Sequence, residues 1–293
     1  MMKQKIIVIS GPTAVGKTKL ALKIAKLFNL DLINADASQM RTNMDIGTAN
    51  VNDLELVGIK HHLFKFLEPD ANFSIKDYQD LGRNILSNLD KAIVVGGSGL
   101  YIDSLLLDYD LTSSARNEEF NINKTNHELY EELLKLDPVA AAKTHENNRK
   151  RILRYLEIIN SGAILEKKEA KELYDILYIT LDLDRLALYK RIDERFDLMI
   201  NDGWCNEVKE LKTKGYDLSK IKEIGYSDLN DYLNGNISYE EAKENVLLKT
   251  HHYAKRQLTW FRGSKNKYHN YHVFSSPKDD DAIINIIKDF IKD

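Results

Sequence analysis

The chain contains short hydrophobic runs rich in β-branched residues, most of them separated by stretches with helical spacing. Hydrophobic runs of this kind are typical of strands buried in a parallel sheet. Six segments fit the pattern: "KIIVIS" (5–10), "LDLINAD" (30–36), "IKHHLFKF" (59–66), "AIVV" (92–95), "YDILYITLDLD" (174–184) and "YHVFSS" (271–276). Because helical stretches lie between most of them, we predict a right-handed parallel α/β sheet flanked by helices.

Two of the stretches between these strands have a hydrophobic helical face. One side of the first predicted helix, residues 18–28, carries Leu20, Ile24, Leu27 and Phe28. A second helix is predicted within residues 73–89, where Ser74 can cap the first turn.

The pattern changes at about Ser113, beyond which strand signals are missing for some 60 residues. The segments there read as wholly helical: "HELYEELLKL" (127–136), "PVAAAKTH" (138–145), "NNRKRILRYLEIINSG" (147–162) and "EKKEAKELY" (166–174). We therefore predict a core domain of residues 1–113 plus 174–293, interrupted by a helical insert of residues 114–173.

Composition and charge narrow the class of protein. The chain has 293 residues, 43% hydrophobic and 30% charged, with a net charge of -3, so a case for nucleic-acid binding must rest on local charge. A single cysteine, Cys205, excludes an internal disulfide and fits a reducing, cytoplasmic setting. We expect no signal peptide, and no hydrophobic run approaches the roughly 20 residues of a membrane helix.

The strongest motif is "GPTAVGKT", which follows the first predicted strand and precedes the first predicted helix. It matches the phosphate loop, in which glycines let backbone amides converge on phosphate oxygens and a helix N-terminus adds its dipole. We expect Lys17 to supply a charge and Thr18 to hold a magnesium ion. The predicted phosphate-binding residues are Gly11, Pro12, Thr13, Ala14, Val15, Gly16, Lys17 and Thr18. The fold class is thus a P-loop NTPase-like parallel sheet with a helical insert.

An enzyme that hydrolyses a nucleoside triphosphate should also carry an acid at the end of a second buried strand. The strand "AIVV" ends instead in Gly96-Gly97-Ser98, and the acid at a strand end is Asp36. Asp36 could act as a base toward an acceptor, or it could cap the next helix or bind magnesium through water. Thr13 could bond a bridging phosphate oxygen or only shape the turn.

Two basic clusters stand out against the negative net charge. Residues 246–270 contain no acid, and they carry cations interleaved with aromatic residues, a combination that suits single-stranded RNA. A solvated helix face with buried aromatic rings would look similar. The second cluster is Arg149, Lys150, Arg151 and Arg154 in the insert, where a surface network of salt bridges is the alternative to a grip on a long polyanion. No Cys/His spacing of a zinc site is present.

Taken together, these motifs resemble one family, the tRNA dimethylallyltransferases (tRNA isopentenyltransferases). The resemblance covers most of the chain and rests on these segments: "GPTAVGKT", "NADASQMRTNMDIGTA", "HHLF", "VVGGSGLYI", "DPVAAAKTH", "RKRILRYLEI", "EIGYSDL" and "AKRQLTWFR". "MDIGTA" and "AKRQLTWFR" in this order are the most specific of them.

The resemblance implies that the loop binds the diphosphate of dimethylallyl diphosphate as a leaving group, with Mg2+ at Thr18. It implies transfer of the dimethylallyl group to N6 of the adenine 3′ of the tRNA anticodon, with Asp36 as general base and Thr13 near the bridging oxygen. It further implies that the insert contacts the anticodon stem-loop. The implied tRNA-binding residues are Asp36, Ala37, Ser38, Gln39, Ser98, Lys150, Arg151, Arg154, Lys255, Arg256, Gln257, Trp260 and Arg262.

The chain departs from the family pattern at several positions. Ala37 and Arg41 stand where a serine and an aromatic residue are usual, and Ser98 replaces a threonine but keeps its hydroxyl. His251 replaces an arginine, which makes one constant charge pH-dependent. Ser227 replaces a basic residue.

Two other classes of protein remain as alternatives. A small-molecule or nucleotide kinase would share the phosphate loop and a helical lid, but it has no need of an acid-free basic stretch. A non-enzymatic RNA-binding protein has no need of a complete phosphate loop together with Asp36.

Overall fold

The computed structural model describes residues 3–109, 111, 123–160 and 171–292. The strands are β1 (Lys5–Ser10), β2 (Asp31–Asn34), β3 (His61–His62), β4 (Lys91–Gly96), β5 (Asp175–Leu181) and β6 (Tyr271–Phe274). The helices are α1 (Lys17–Phe28), α2 (Asp53–Leu56), α3 (Ile75–Leu86), α4 (Gly99–Leu106), α5 (Asn126–Leu136), α6 (Pro138–Ala142), α7 (Arg149–Asn160), α8 (Arg185–Asn201), α9 (Trp204–Thr213), α10 (Tyr226–Leu233), α11 (Tyr239–Ser264) and α12 (Asp280–Lys292).

The six strands form one parallel sheet in the order β3-β2-β4-β1-β5-β6. Strand β1 lies at the centre, where Ile7 pairs with Ile93 of β4 on one side and with Leu177 of β5 on the other. Strands β1, β4 and β5 are buried over nearly their whole length, as expected when helices cover both faces of a sheet. The predicted fold class is therefore confirmed.

In helix α1 the buried face is slightly rotated about the helix axis from the hydrophobic face that the sequence predicts. The prediction placed Leu27 in the core, but this side chain is 57% exposed. Ala21 and Ala25 are fully or almost fully buried instead, because their short side chains let the helix approach the sheet closely. The predicted cap of α3 is confirmed: the Ser74 hydroxyl accepts a hydrogen bond from the Asp77 amide, and the Asp77 carboxylate bonds back to Ser74.

The chain divides into two compact units: Met1–Asp108 with Lys171–Asp293, and Tyr109–Ala170. The first unit contains the whole sheet. The second contains α5, α6 and α7, which enclose a core of their own made of Leu129, Leu133, Ala140, Ala141, Ile152 and Leu156. The helix expected at 166–174 is wrong for residues 171–174, which are not helical: Glu172 forms an isolated bridge with Leu107, and the rest of that segment lies outside the described residues.

Candidate active site

The phosphate loop joins the buried end of β1 to the first turn of α1. Gly11 and Gly16 both have positive φ, at 142° and 105°, in the region that favours glycine. Space also requires glycine at position 11, where a Cβ atom would lie 2.4 Å from the carbonyl oxygen of Leu181. The loop between them, with Val15 buried, leads directly into α1 at Lys17.

Lys17 is buried in this loop, and its Nζ donates a hydrogen bond to the carbonyl of Pro12 at 2.7 Å. The pKa of this amine is lowered to about 8, chiefly by burial; the carboxylate of Asp36 opposes that shift and the nearby guanidinium of Arg195 adds to it. Lys17 therefore lies in a cationic pocket of the kind that would receive an anion.

Asp36 follows β2 at the carboxyl edge of the sheet. Strand β4 separates β2 from β1, so the turn after β4 lies between Asp36 and the phosphate loop. Asp36 Oδ1 accepts a hydrogen bond from the Ser38 amide at 3.2 Å, while Oδ2 accepts none from the described residues. The carboxylate thus caps the short 3₁₀ helix Ser38–Met40 with one oxygen and keeps the other available to a ligand.

A cavity of about 460 Å³ adjoins the loop. The polar residues that line it, called the polar wall, include Thr13, Asp36, Ser98 and Arg195. The apolar residues that line it, called the apolar wall, include Ile192, Phe196, Met199, Trp204, Ile224, Val246 and Leu247. A small hydrocarbon attached to an anionic group would find both kinds of surface here.

The sequence analysis missed Arg195 on α8. Its guanidinium donates a long hydrogen bond, 3.5 Å, to the Thr13 hydroxyl, and burial lowers its pKa while Asp36 opposes that shift. The signal was present in the sequence, because Arg195 lies three residues after the buried Ile192 and so on the inner side of the helix. An arginine on the inner side of a helix is not there simply to contact solvent.

Besides Asp36 and Arg256, three residues of the predicted tRNA-binding set line the cavity: Ala37, Ser38 and Ser98. The Ser98 hydroxyl accepts a hydrogen bond from the Ala37 amide at 3.2 Å, which ties the turn after β4 to the segment after β2. Gln39 is buried, and its side-chain amide donates to the carbonyl of Ala49. Its side chain supports the loop around Ala49.

Glu207, on α9, is a second residue that the sequence analysis missed. Its buried carboxylate accepts hydrogen bonds from the amides of Ile46 and Gly47 and from the Tyr226 hydroxyl, at 2.7, 3.0 and 2.7 Å. It thereby holds the segment that supplies Gly47 and Thr48 to the cavity wall. This partnership links residues about 160 positions apart, so periodicity in the sequence could not indicate it.

The basic stretch of residues 246–270 begins within α11 and continues past the end of this helix at Ser264. Lys255, Arg256 and Arg262 are exposed, and none of them pairs with a carboxylate among the described residues. Trp260 is 37% exposed and packs over Gly99, with the Lys267 ammonium 4.7 Å from its ring centre.

Gln257 differs from its neighbours on α11, since it is buried and both of its amide atoms bond to the protein. The side chain that we expected to contact tRNA is thus occupied by hydrogen bonds within the protein. The helical period places it on the inner face of α11, opposite the exposed cations.

The insert cluster lies on α7. Lys150 and Arg151 are exposed, and Arg151 stacks its guanidinium on Tyr155, 5.6 Å from the ring centre. Arg154 pairs with Glu157 at 3.2 Å, so the salt-bridge alternative describes this residue in part.

Two of the residues that depart from the family pattern, Arg41 and His251, interact with other side chains. Arg41 pairs with Glu223, which lines the cavity, and donates to the carbonyls of Glu68 and Ala71. His251 stacks on Tyr189 at 4.1 Å and lies 2.8 Å from Asp193.

The loop residues fit a magnesium ion that is held together with a diphosphate. Thr18 lies in the first turn of α1, and its half-buried hydroxyl makes no hydrogen bond in the described part of the chain. Magnesium prefers oxygen ligands and is usually shared between one or two protein groups, substrate phosphates and water. No group of three or more His, Cys, Asp or Glu residues that could hold a metal occurs within the described ranges.

A strand, a glycine loop and a helix that cradle a buried lysine at the edge of a parallel sheet define the class of P-loop phosphate-binding proteins. Beside the loop lies a cavity with one polar and one apolar wall. A sequence model of the family described as IPP transferase matches residues 39–264. The chain belongs to the IPP transferase family, whose members are transferases. The match begins after the phosphate loop and Asp36, which are thus independent observations.

Individual relatives agree with this assignment. The chain is 39% identical to a tRNA dimethylallyltransferase of Alkaliphilus oremlandii, in an alignment that covers 99% of this chain and 98% of the relative. It resembles the crystal structure of the full-length tRNA isopentenylpyrophosphate transferase from Bacillus halodurans, with a TM-score of 0.73, 35% identity and coverage of 99% and 97%. It also resembles a eukaryotic dimethylallyltransferase acting on tRNA, with a TM-score of 0.85, 25% identity and coverage of 99% and 80%.

No helix in the described ranges is both long and apolar enough to cross a membrane.

Proposed function

We propose that this protein transfers the dimethylallyl group of dimethylallyl diphosphate to N6 of the adenine 3′-adjacent to the anticodon of a tRNA. The observation that carries the proposal is the free Oδ2 of Asp36 in a cavity that joins a phosphate loop to an apolar wall. The kinase alternative has less support, because the relatives named above are dimethylallyl and isopentenyl transferases acting on tRNA.

The donor would bind with its diphosphate against the loop of residues 11–18 and its hydrocarbon tail along the apolar wall. Lys17 and Arg195 would stabilise the negative charge that develops as the diphosphate departs, and the backbone amides at the start of α1 would add their dipoles. Thr13, which accepts a hydrogen bond from Arg195, would bond the bridging oxygen.

In the reaction, N6 of the adenine attacks C1 of the dimethylallyl group. The N6–C1 bond forms while the C1–O bond breaks, so the electron pair of that bond leaves with the diphosphate. Asp36 takes the proton that N6 loses, as a general base positioned by its bond to Ser38. The apolar wall excludes the water that would otherwise hydrolyse the allylic donor.

Magnesium, held by Thr18 and the diphosphate, would neutralise charge on the leaving group. The oxygen ligands described above, which are the Thr18 hydroxyl, the substrate phosphates and water, support the assignment of magnesium to this position.

The acceptor would reach the cavity as a base flipped out of the anticodon loop. Ala37, Ser38 and Ser98 would contact it, and Arg256 lies at the cavity wall on the basic side of α11. Lys255 and Arg262 on α11, with Lys150 and Arg151 on α7, would bind tRNA phosphates, since cations without carboxylate partners among the described residues are available to a polyanion. Arg154, which pairs with Glu157, would bind a phosphate in competition with that carboxylate. Trp260 would contact the RNA with its exposed edge. We assign the contact with the anticodon stem to the insert.

The test is transfer of label from radiolabelled dimethylallyl diphosphate, with Mg2+, to an unmodified tRNA that carries adenine 3′ of its anticodon. A matched tRNA in which guanine replaces that one adenine is the control. Label in the first tRNA alone is the expected result. Label in neither, together with consumption of ATP in the presence of a small acceptor, would replace the proposal by the kinase.

A further inference from the structure

The side chain of Gln257 connects two loops of the candidate active site. It projects from the inner face of α11 and is 4% exposed. Its Oε1 accepts a hydrogen bond from the backbone amide of Thr13 at 2.8 Å, and its Nε2 donates to the carbonyl of Gly97 at 2.8 Å. One amide group therefore bonds both to the phosphate loop and to the turn after β4.

That turn leads directly to the acceptor side of the cavity. Gly97 lies close to the carboxylate of Asp36: a Cβ atom at this glycine would lie 3.3 Å from Asp36 Oδ2 and 2.3 Å from Gln257 Nε2. The next residue, Ser98, accepts the amide of Ala37 and donates its own amide to Ala35. Gln257 is thus linked to the backbone on both sides of Asp36.

Sheet order explains why such a link is needed. The phosphate loop follows β1 and Asp36 follows β2, but β4 separates these two strands. The distance between the leaving group and the base is therefore set by the turn after β4, which lies between them. The side chain of Gln257 joins that turn to the phosphate loop at the carboxyl ends of the strands.

We propose that Gln257 is a positioning residue for the transfer reaction, which sets the distance between the bound diphosphate and the acceptor held by Asp36. The proposal rests on the function proposed above. It assigns to Gln257 an effect on turnover with a small effect on the binding of either substrate, because displacement of reacting groups by about 1 Å can cost about 100-fold in rate.

The substitution Gln257→Glu tests this with little change of shape. A protonated carboxyl group offers one acceptor and one donor, as the amide does, whereas a carboxylate offers acceptors only. The ionised variant would accept from Thr13 but face the Gly97 carbonyl with a second acceptor. Because burial favours the neutral acid, protonation should occur above the ordinary glutamate pKa of about 4.3.

We would measure kcat and both KM values between pH 5.5 and pH 8.5 for wild type and Q257E. At the upper end, kcat of Q257E should be lower by about 10- to 100-fold, with both KM values within about threefold of wild type. The ratio of kcat for Q257E to kcat for wild type should rise as the pH falls. Taking the ratio removes any dependence on pH that the two proteins share.

Two variants separate positioning from folding. Q257M keeps the volume, loses both hydrogen bonds and cannot ionise, so its kcat ratio should be low at every pH. Q79E is the matched control, because Gln79 is equally buried but donates to Ser104 on α4, away from the cavity wall. Its kcat ratio should not depend on pH. Melting temperatures at each pH identify any loss that comes from unfolding.

A wild-type kcat in Q257M, or a Q257E ratio that does not change with pH, would overturn the proposal. So would a loss confined to KM. The wild-type protein tests the underlying function separately: if it places no label in tRNA, the proposed reaction fails, whereas an active wild type with a constant Q257E ratio overturns only the role of Gln257.

Discussion

At the scale of single residues, Asp36 divides its two carboxylate oxygens between two tasks. Oδ1 stabilises the turn by accepting the Ser38 amide, and Oδ2, which accepts no hydrogen bond from the described residues, is available for the proposed proton transfer. The two interpretations of Asp36 that the sequence left open, a cap and a base, are therefore compatible. An asparagine at this position can keep the cap and lose the base.

We predict that Asp36→Asn and Asp36→Ala both reduce kcat by about 10²–10⁴-fold, the usual range for a positioned base. Binding of tRNA, measured by filter retention, should change by less than about threefold in Asp36→Asn, because the turn is preserved. Normal turnover in Asp36→Asn would remove Asp36 from the proton transfer.

Lys17 gives a prediction about pH. Burial holds its pKa at about 8 in the free protein, so the amine loses its proton as the pH rises through 8. A bound diphosphate stabilises the ammonium form and raises that pKa. Binding of dimethylallyl diphosphate should therefore take up close to one proton at pH 8.5 to 9, and affinity should fall as the pH rises through this window.

Calorimetry in two buffers of different ionisation enthalpy measures this proton uptake. Lys17→Met is the control, since it should bind more weakly with no proton uptake attributable to this site. Equal proton uptake in the wild type and in Lys17→Met would contradict the assignment.

At the scale of elements, the local parts of the site could be predicted and the distant ones could not. The phosphate loop is one continuous motif between a strand and a helix, so eight neighbouring letters were enough to predict it. Arg195, Glu207 and Gln257 act through partners that lie 160 or more positions away. Only the sheet order and the packing of α8, α9 and α11 bring them to the segments that form the cavity.

Helix α11 shows the same limit within a single element. Its sequence predicts a helix with a basic surface, and the exposed Lys255, Arg256 and Arg262 agree with that. The same segment places Gln257 inside, although a polar residue directly after two cations looked like another surface residue. Two faces of one helix thus carry different tasks.

Charge reversal at Arg256 and Arg262 should weaken tRNA binding and reduce the slope of log K against log salt by about 1 to 2, because each lost phosphate contact lowers the number of released counterions. The control is K26E/K288E, which changes the net charge equally at exposed positions of α1 and α12. The affinity for tRNA, measured between 50 and 200 mM salt, gives the slope for each protein. An unchanged slope in the α11 variant would place the RNA elsewhere.

At the scale of the whole molecule, the two units have separate cores, and the chain ends of the first unit are already joined at the point of insertion. The Asp108 amide donates to the Lys171 carbonyl at 3.0 Å, and the Leu173 amide donates to the Leu106 carbonyl at 3.0 Å. Residues 108 and 171 are therefore neighbours that a short linker can connect. The sheet, the phosphate loop and the cavity all belong to this first unit.

We predict that replacing residues 109–170 by a short glycine-serine linker leaves the affinity for dimethylallyl diphosphate within about threefold of the full chain. The same protein should bind tRNA at least about tenfold more weakly, because Lys150, Arg151 and Arg154 are lost with α7 and each lost phosphate contact weakens binding. Equilibrium dialysis with labelled donor and filter retention of labelled tRNA measure the two affinities. Full-length chains with glutamate at those three positions serve as the comparison: if they bind tRNA normally while the shortened protein does not, the insert contributes through its fold and not through these cations.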